Sequence, residues 1–390
     1  MTIPVMRPWL GEEEAAAAAA AVASGWVAQG PQVAKFERAF ADALGIEHAV
    51  AVSSCTAGLH LAMVVAGVGP GDEVVVPSLS FIATANAARY VGARPVFADV
   101  DPRTLNLTPA TVEQVLTDRT RAVILVDQAG VPADLDGMRE LCAPRGIQIL
   151  EDAACAAGAK YRGRPVGAGA YLAAFSFHPR KLLTTGEGGM VVTPDAEVAA
   201  RLRRLREHGM NVSAEQRHAS RQPVIESYLE VGFNYRMTDI QASVGIVQLG
   251  KLARMVERRR QLADRYRAAL PGVADFQMIA DPPYGLTNYQ SFWLLLPDDF
   301  PVSRNDLLQI LSESGVSARR GIMAAHQEPA YAGHGSRVPL PVTERLSSRS
   351  VILPLFHEMS QQEQDLVVSV IDAAASKSQA VSPHGRMLRS

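Results

Sequence analysis

The sequence predicts an α/β fold: a mostly parallel sheet with helices on both faces, followed by a smaller α+β C-terminal domain. Three observations lead there. Short β-branched runs alternate with amphipathic helical stretches through the first half of the chain, the pattern of βαβ units. At 390 residues the chain is too long for one compact core and fits two domains. A long helical pattern from about Thr238 to Leu270 then separates this half from a shorter, differently patterned one.

Taken in order, Glu12-Glu13-Glu14 followed by the alanine run Ala15–Ala21 reads as a helix, with its acids near the positive end and the best helix former behind them. The strands expected next are His48–Ser53, Glu73–Pro77, Arg94–Ala98, Arg121–Val126 and Gln148–Leu150. Helices are expected over Ala57–Ala66, Ile82–Val91, Pro109–Leu116 and Asp134–Ala143. Ala173–Phe177 and Gly189–Thr193 add two strands, joined by the turn that contains Lys181. Within the long helix, Arg258-Arg259-Arg260 reads as a solvated face. Beyond Pro271 come a strand over Gln290–Leu296, a helix over Ser303–Ser314 and a last helix over Gln361–Ala375. The division expected is a large domain over 1–250, a small domain over 251–375 and a polar, disordered tail over 376–390.

Composition narrows the function. Apolar residues make up 48% and charged residues 20%, as in an ordinary globular protein, and the net charge of −2 gives no footprint for nucleic acid or a membrane surface. No apolar run approaches the ~18 residues of a spanning helix. The N-terminus lacks a basic start followed by an apolar core. Cys55, Cys142 and Cys155 stand at no metal spacing, so no metal is expected and a reducing cytoplasm is.

Several chemical motifs are excluded. There is no Gly-x-x-x-x-Gly-Lys phosphate loop and no Gly-x-Ser-x-Gly elbow. His357-Glu358 begins a zinc-protease pattern, but Gln361 stands where the second His belongs. Lysine is scarce: Lys35, Lys160, Lys181, Lys251 and Lys377 are all there are. Lys181 follows an apolar strand and precedes Thr184-Thr185-Gly186-Glu187-Gly188-Gly189, which poises it over the sheet edge where α/β proteins place ligands. Desolvation there would depress its pKa and make the amine a carbonyl nucleophile. A surface loop lysine fits the local context equally well. Ser54-Cys55-Thr56-Ala57-Gly58 ends a strand and opens a helix, which suits an anion but also an ordinary helix cap. Leu150-Glu151-Asp152 puts carboxylates at the end of a buried strand, able to pair with a protonated ring nitrogen or simply to cap a helix. Phe81 could stack on a ring or belong to the core.

Together, the order and spacing of these segments resemble the DegT/DnrJ/StrS-type aminotransferases, from about Trp26 to Ile371. The resemblance rests most on Phe175-Ser176-Phe177-His178-Pro179-Arg180-Lys181 with Thr185-Gly186-Glu187-Gly188-Gly189. It rests also on Gly25-Trp26-Val27, Ser54-x-Thr56-Ala57, Pro77-Ser78 with Phe81, Pro132–Asp136, Glu151–Ala154 and Gly232–Asp239. What the resemblance implies is a three-layer fold-type-I enzyme that uses pyridoxal 5'-phosphate (PLP) to aminate keto sugars. It implies Lys181 as the Schiff-base lysine and Asp152 as partner of the pyridine nitrogen. Phe81 would stack on the ring, and Thr56, Ala57 and Ser176 would hold the phosphate. Asn234, with Arg236 beside it, would reach the cofactor phosphate of the second subunit of a homodimer with shared active sites.

Two departures stand out. Cys155 occupies a position where the family usually has His or Gln near the cofactor's phenolic oxygen, and Asp127-Gln128 replaces a frequent His. The expected reaction is a ping-pong transamination from glutamate, or glutamine, to a ketone on a nucleotide-linked sugar. Arg319 and His326 are the candidates for holding the sugar nucleotide. A keto-cyclitol or other secondary-metabolite ketone as acceptor, or a PLP-fold regulator without catalysis, are the competing readings.

Overall fold

The computed structural model describes residues 2–212, 223–334 and 336–376. The expected tail lies outside them apart from Ser376. The first sheet is built from β1 (His48–Val52), β2 (Glu73–Pro77), β3 (Arg94–Ala98), β4 (Thr120–Val126) and β5 (Gln148–Asp152). After the two-residue strands β6 (Lys160–Tyr161) and β7 (Arg164–Pro165), it is completed by β8 (Leu172–Ser176) and β9 (Gly189–Thr193). Its order is β1-β9-β8-β5-β4-β2-β3. Only β9 runs antiparallel, to both β1 and β8; the other pairings are parallel. The strands of such a sheet are buried on both faces and so read as continuous apolar runs.

The helices between them are α1 (Glu12–Ala23), α2 (Pro31–Leu44), α3 (Cys55–Val65), α4 (Ala83–Tyr90), α5 (Pro109–Glu113), α6 (Leu135–Cys142) and α7 (Ala196–Leu205). One core packs α3, α4 and α7 on one face of the sheet, around Val50, Leu61, Ala88 and Leu202. A second joins the other face to the C-terminal half through Val123, Leu125, Tyr266 and Phe292.

Helix α8 (Asp239–Ala269) starts at Thr238, whose side chain accepts from Gln241 N–H in a capping box. Its first residue also caps another helix. Asp239 Oδ1 accepts from Gly30 and Val33 N–H at 2.8 and 3.0 Å, and Oδ2 from Gln32 N–H at 3.1 Å, at the start of α2. At 31 residues, α8 runs unbroken through position 250, where the sequence places the domain boundary. Beyond it, β10 (Gln277–Met278), β12 (Phe292–Leu295), β13 (Arg319–Arg320) and β14 (Ser350–Leu353) form an antiparallel sheet ordered β10-β12-β14-β13. β11 (Gly285–Leu286) instead joins β6 and β7 of the N-terminal half.

The arginine run of α8 corrects the sequence reading. Arg259 is 1% exposed and donates to the carbonyls of Tyr289, Gln290 and Leu355. Arg258 donates to the carbonyls of His357 and Met359, and Arg260 pairs with Asp281. The face is covered because the C-terminal half folds back along the helix, which one-dimensional charge patterning does not reveal. Among the described residues no helix is long and apolar enough to cross a membrane, no group of His, Cys, Asp or Glu could hold a metal ion, and the three cysteines are free.

Candidate active site

Residues 177–188 join β8 to the antiparallel β9, so the segment returns to the sheet at the edge where β5 and β8 end. The loop closes on itself. Phe177 N–H donates to Gly188 O at 2.9 Å, Phe177 O accepts from Thr185 N–H and the Thr184 hydroxyl, and Lys181 N–H donates to His178 O at 2.8 Å. Gly186 turns the chain at φ +84°. Gly189 is needed for a different reason. A Cβ there would lie 2.6 Å from Cys55 N and 2.8 Å from Ser54 O, so only glycine lets β9 pass beneath the start of α3.

Lys181 Nζ lies 3.0 Å from Cys155 Sγ. Asp152, the last residue of β5, is buried. Its Oδ2 accepts from the Thr84 hydroxyl at 2.8 Å and its Oδ1 from Ala154 N–H at 3.2 Å, while Ser80 Oγ lies 2.9 Å from Thr84 Oγ1. Burial raises the Asp152 pKa against the opposing pull of Thr84, Ala154 N–H and Lys181. Burial pulls the Lys181 pKa down, but the sulfurs of Cys155 and Cys55 and the Asp152 carboxylate push it up, and the balance is upward. The expected depression is therefore absent, the Cys155 contact and the nearby Asp152 carboxylate offsetting the desolvation. No ion pair joins Lys181 to Asp152 among the described residues.

At the same edge, Ser54 caps α3 by accepting from Ala57 N–H at 3.1 Å. The first N–H groups of a helix have no intrahelical partners; that of Ala57 is taken by the Ser54 cap, and Thr56 stands beside it at the helix start, where an anion is held well. Ser176, at the end of β8, is buried and accepts from His178 N–H at 3.4 Å. Phe81 stands between β2 and α4 with 57% of its surface exposed. The structure thus gathers Thr56, Ala57, Asp152, Cys155, Ser176 and Lys181 at one end of the sheet.

Of the remaining candidates, Asn234 is exposed, on a segment bridged to Glu207 whose Tyr235 O accepts from Ser53 N–H at 2.8 Å, beside the start of α3. Arg319 is exposed on β13. The His326 ring is engaged at both nitrogens, Nδ1 lying 2.6 Å from Ser78 Oγ and Nε2 3.3 Å from Glu344 Oε1. Gln128 is likewise committed: its amide donates to Leu79 O at 2.7 Å and its N–H to Asn106 Oδ1 at 2.8 Å. A cavity of about 540 Å³ bordered by Arg38, His48 and Arg203 contains none of the site residues.

Two carboxylates deepen the acidic surroundings. Glu151 and Asp152 are neighbours on a strand and point to opposite faces. Glu151 is 2% exposed, and burial lifts its pKa to about 7 against a Gly167 backbone hydrogen bond and Arg139. Asp127 is fully buried. Its Oδ1 accepts from Ala133 N–H and its Oδ2 has no partner, and burial with Glu151 nearby raises its pKa well above the usual range.

Sequence reasoning missed Thr84 and the pair Asn288 and Gln290. Thr84 lies on a helix that carries no motif. Asn288 bonds to the backbone of Cys155 and Ala157, and Gln290 to that of Arg180 and Leu182, from more than 100 residues away in sequence.

The profile of the DegT/DnrJ/EryC1/StrS aminotransferase family matches residues 8–372. The chain belongs to that family. Aminotransferase TlmJ from Streptoalloteichus hindustanus is similar at 37% identity and a TM-score of 0.88, over 97% of this chain and 100% of that one. DesV of S. venezuelae, solved with a ketimine intermediate, is 35% identical with a TM-score of 0.88, over 96% and 99%. Spr1654 from Streptococcus pneumoniae in its PLP form is 26% identical with a TM-score of 0.88, over 97% and 99%. This member of the DegT/DnrJ/EryC1/StrS family is a PLP-dependent aminotransferase of fold type I, taking a small-molecule keto substrate and an amino donor. The residues at the sheet edge fit the cofactor: a half-buried lysine, a buried carboxylate that does not touch it, a capped helix start and an exposed aromatic.

Proposed function

We propose that this aminotransferase carries an amino group from glutamate, or glutamine, to the ketone of a nucleotide-linked sugar by a ping-pong reaction in the cytoplasm. The observation that carries the site assignment is the Lys181 amine, held 3.0 Å from Cys155 Sγ on the loop beside the buried Asp152. The acceptor class is supported by the likeness to Helicobacter pylori PseC, an aminotransferase involved in the biosynthesis of pseudoaminic acid, at 25% identity and a TM-score of 0.89 over 96% of this chain and 99% of that one.

When bound, PLP supplies a carbonyl that an amine can attack and a pyridine ring that withdraws electrons from the attached carbon. Lys181 Nζ would hold the cofactor through its carbonyl carbon and, when free, would take the proton from the donor's amine-bearing carbon in the first half-reaction and return one to the acceptor carbon in the second. Asp152 would keep the ring nitrogen protonated, its carboxylate held in direction by Thr84 and Ala154 N–H. Thr56, Ala57 and Ser176 would hold the phosphate, Phe81 would stack on the ring, and Cys155 would serve the phenolic oxygen. Asn234, exposed on its own chain, acts in trans on a second copy and makes the working unit a homodimer. Arg319, with His326, holds the sugar nucleotide outside the ring site.

The test is to present the PLP form with glutamate or glutamine and a panel of nucleotide-linked ketosugars and keto-cyclitols, following amine transfer by mass. Lys181→Ala abolishes turnover and the visible absorbance of covalently held cofactor. Transfer to the cyclitols alone overturns the sugar-nucleotide assignment. Retention of the absorbance in Lys181→Ala overturns the site.

A further inference from the structure

The turn between β11 and β12 grips both ends of the Lys181–Cys155 contact. Thr287, Asn288, Tyr289 and Gln290 are all at most 7% exposed. Gln290 uses its whole amide on the lysine loop. Oε1 accepts from Leu182 N–H at 3.1 Å and Nε2 donates to Arg180 O at 2.6 Å, so one side chain straddles Lys181. Asn288 does the same for the cysteine loop, donating from Nδ2 to Cys155 O at 2.8 Å and Ala157 O at 2.9 Å. Its Oδ1 accepts from Gln290 N–H at 2.8 Å, which ties the two grips together.

The turn is itself fixed from behind. The buried Arg259 guanidinium donates to Tyr289 O at 2.6 Å and Gln290 O at 2.8 Å. It has no carboxylate partner among the described residues, and burial drops its pKa to about 9. A charge so placed is a poor way to stabilise a core but a strong way to orient carbonyls, since charge-assisted bonds are the stiffer ones. Tyr289 holds φ +51°, an unfavourable conformation for a residue with a side chain, between the two grips. Gly130 makes room for Asn288: a Cβ there would lie 1.8 Å from Asn288 Oδ1.

We propose that Gln290, backed by Asn288 and Arg259, is a positioning residue that sets where the Lys181 amine stands relative to Cys155, and so how readily it reacts with a carbonyl. Because α8 and the C-terminal half supply the whole device, it also ties the lysine loop to the second domain. The inference rests on the assignment of Lys181 as the PLP lysine, and the experiment separates the two.

Gln290→Met keeps the length of the side chain and removes both hydrogen bonds. Gln290→Glu restores both only while its carboxyl is protonated, and burial favours that form. Three quantities are followed in the cofactor-free and PLP-loaded protein: the melting temperature, the rate at which added PLP is captured, and the pH at which the bound cofactor's visible band changes. Borohydride reduction and peptide mapping identify the lysine modified. In Gln290→Met the melting temperature stays within a few degrees of native, capture slows about tenfold or more, and the band titrates about one pH unit away. Gln290→Glu behaves like the native protein near pH 5.5 and like Gln290→Met above about pH 8, as the carboxyl gives up its proton. Native capture and titration in Gln290→Met overturn the proposal, as does a Gln290→Glu profile parallel to the native one, or losses that only track a lowered melting temperature. A modified lysine other than Lys181 overturns the site assignment instead, whatever Gln290 does.

Discussion

Ser78 and His326 are joined twice: Oγ lies 2.6 Å from Nδ1 of the ring and accepts from the His326 N–H at 3.2 Å. Together with Ala325 N–H donating to Ser78 O at 2.7 Å, this staples the C-terminal half to the end of β2, beside the Phe81 loop. His326→Ala should therefore lower stability by about 1 kcal/mol, because Ser78 Oγ loses its ring partner and keeps only the backbone N–H at position 326, visible as a lower melting temperature. Arg319→Ala should leave the melting temperature alone and raise the KM for the sugar nucleotide, with the donor half-reaction unchanged, because only remote binding is lost. Single-turnover measurement of each half-reaction decides this; equal damage to both halves by Arg319→Ala would move the acceptor site elsewhere.

Asp152→Asn should cut turnover by on the order of 100-fold or more while cofactor affinity falls little, since the phosphate and ring contacts remain. Thr84→Val is the subtler variant. Losing the Thr84 hydroxyl removes a bond that favours the ionised carboxylate, so the Asp152 pKa rises further. The carboxylate is then protonated at a higher pH as acid is added, and the acidic limb of the kcat profile moves upward. Profiles of Thr84→Val and Thr84→Ser that superimpose would remove Thr84 from the site.

Glu151 makes stability depend on pH in the opposite sense to a salt-bridged acid. Its folded pKa is raised to about 7, so between the unfolded value and 7 the native state holds a proton that the unfolded chain has lost. That contribution is full at low pH and fades as pH rises through 7, by up to about 3 kcal/mol. Glu151→Gln should remove the fall, making the variant more stable than the native protein at pH 8 and similar near pH 4.5. Melting of the cofactor-free protein across that range is the check, and a constant difference between the two curves contradicts it.

If Asn234 completes the phosphate site of a second copy, mixing Asn234→Ala subunits with Lys181→Ala subunits should restore part of the activity, because one hybrid site carries neither lesion. Absence of any recovery after verified subunit exchange would falsify the shared site.

Much of the fold is legible from local pattern. The runs His48–Ser53, Glu73–Pro77 and Arg94–Ala98 coincide with β1, β2 and β3 to within a residue, and Gln361–Ala375 coincides with the last helix, because buried strands and capped helices write their periods directly into sequence. The site is legible where it lies on strand ends and the loop of Lys181. It is illegible where its parts converge from afar. Thr84 reaches the Asp152 carboxylate across 68 residues, and Gln290 reaches the Leu182 backbone across 108, and nothing local marks a polar side chain whose partner is so distant. Arg259 shows the same limit from the other side: its charge looks like a wet face until the segment that buries it is in place.

The pairing of β1 with β9 bears on how the chain comes off the ribosome. β1 lies at the sheet edge and its one hydrogen-bonded neighbour is β9, in the register His48↔Thr193 to Val52↔Gly189. A nascent chain therefore carries an apolar strand, and the Ser54–Ala57 helix start behind it, without a partner until residue 193 has emerged. Long-range pairings of this kind form late and leave unpaired edges exposed meanwhile. Fragments that stop short of β9 should go to the insoluble fraction. If the Ser54–Ala57 helix start is the phosphate cradle proposed above, synthesis would deliver it and the lysine loop together, since residues 177–188 precede β9 in the chain.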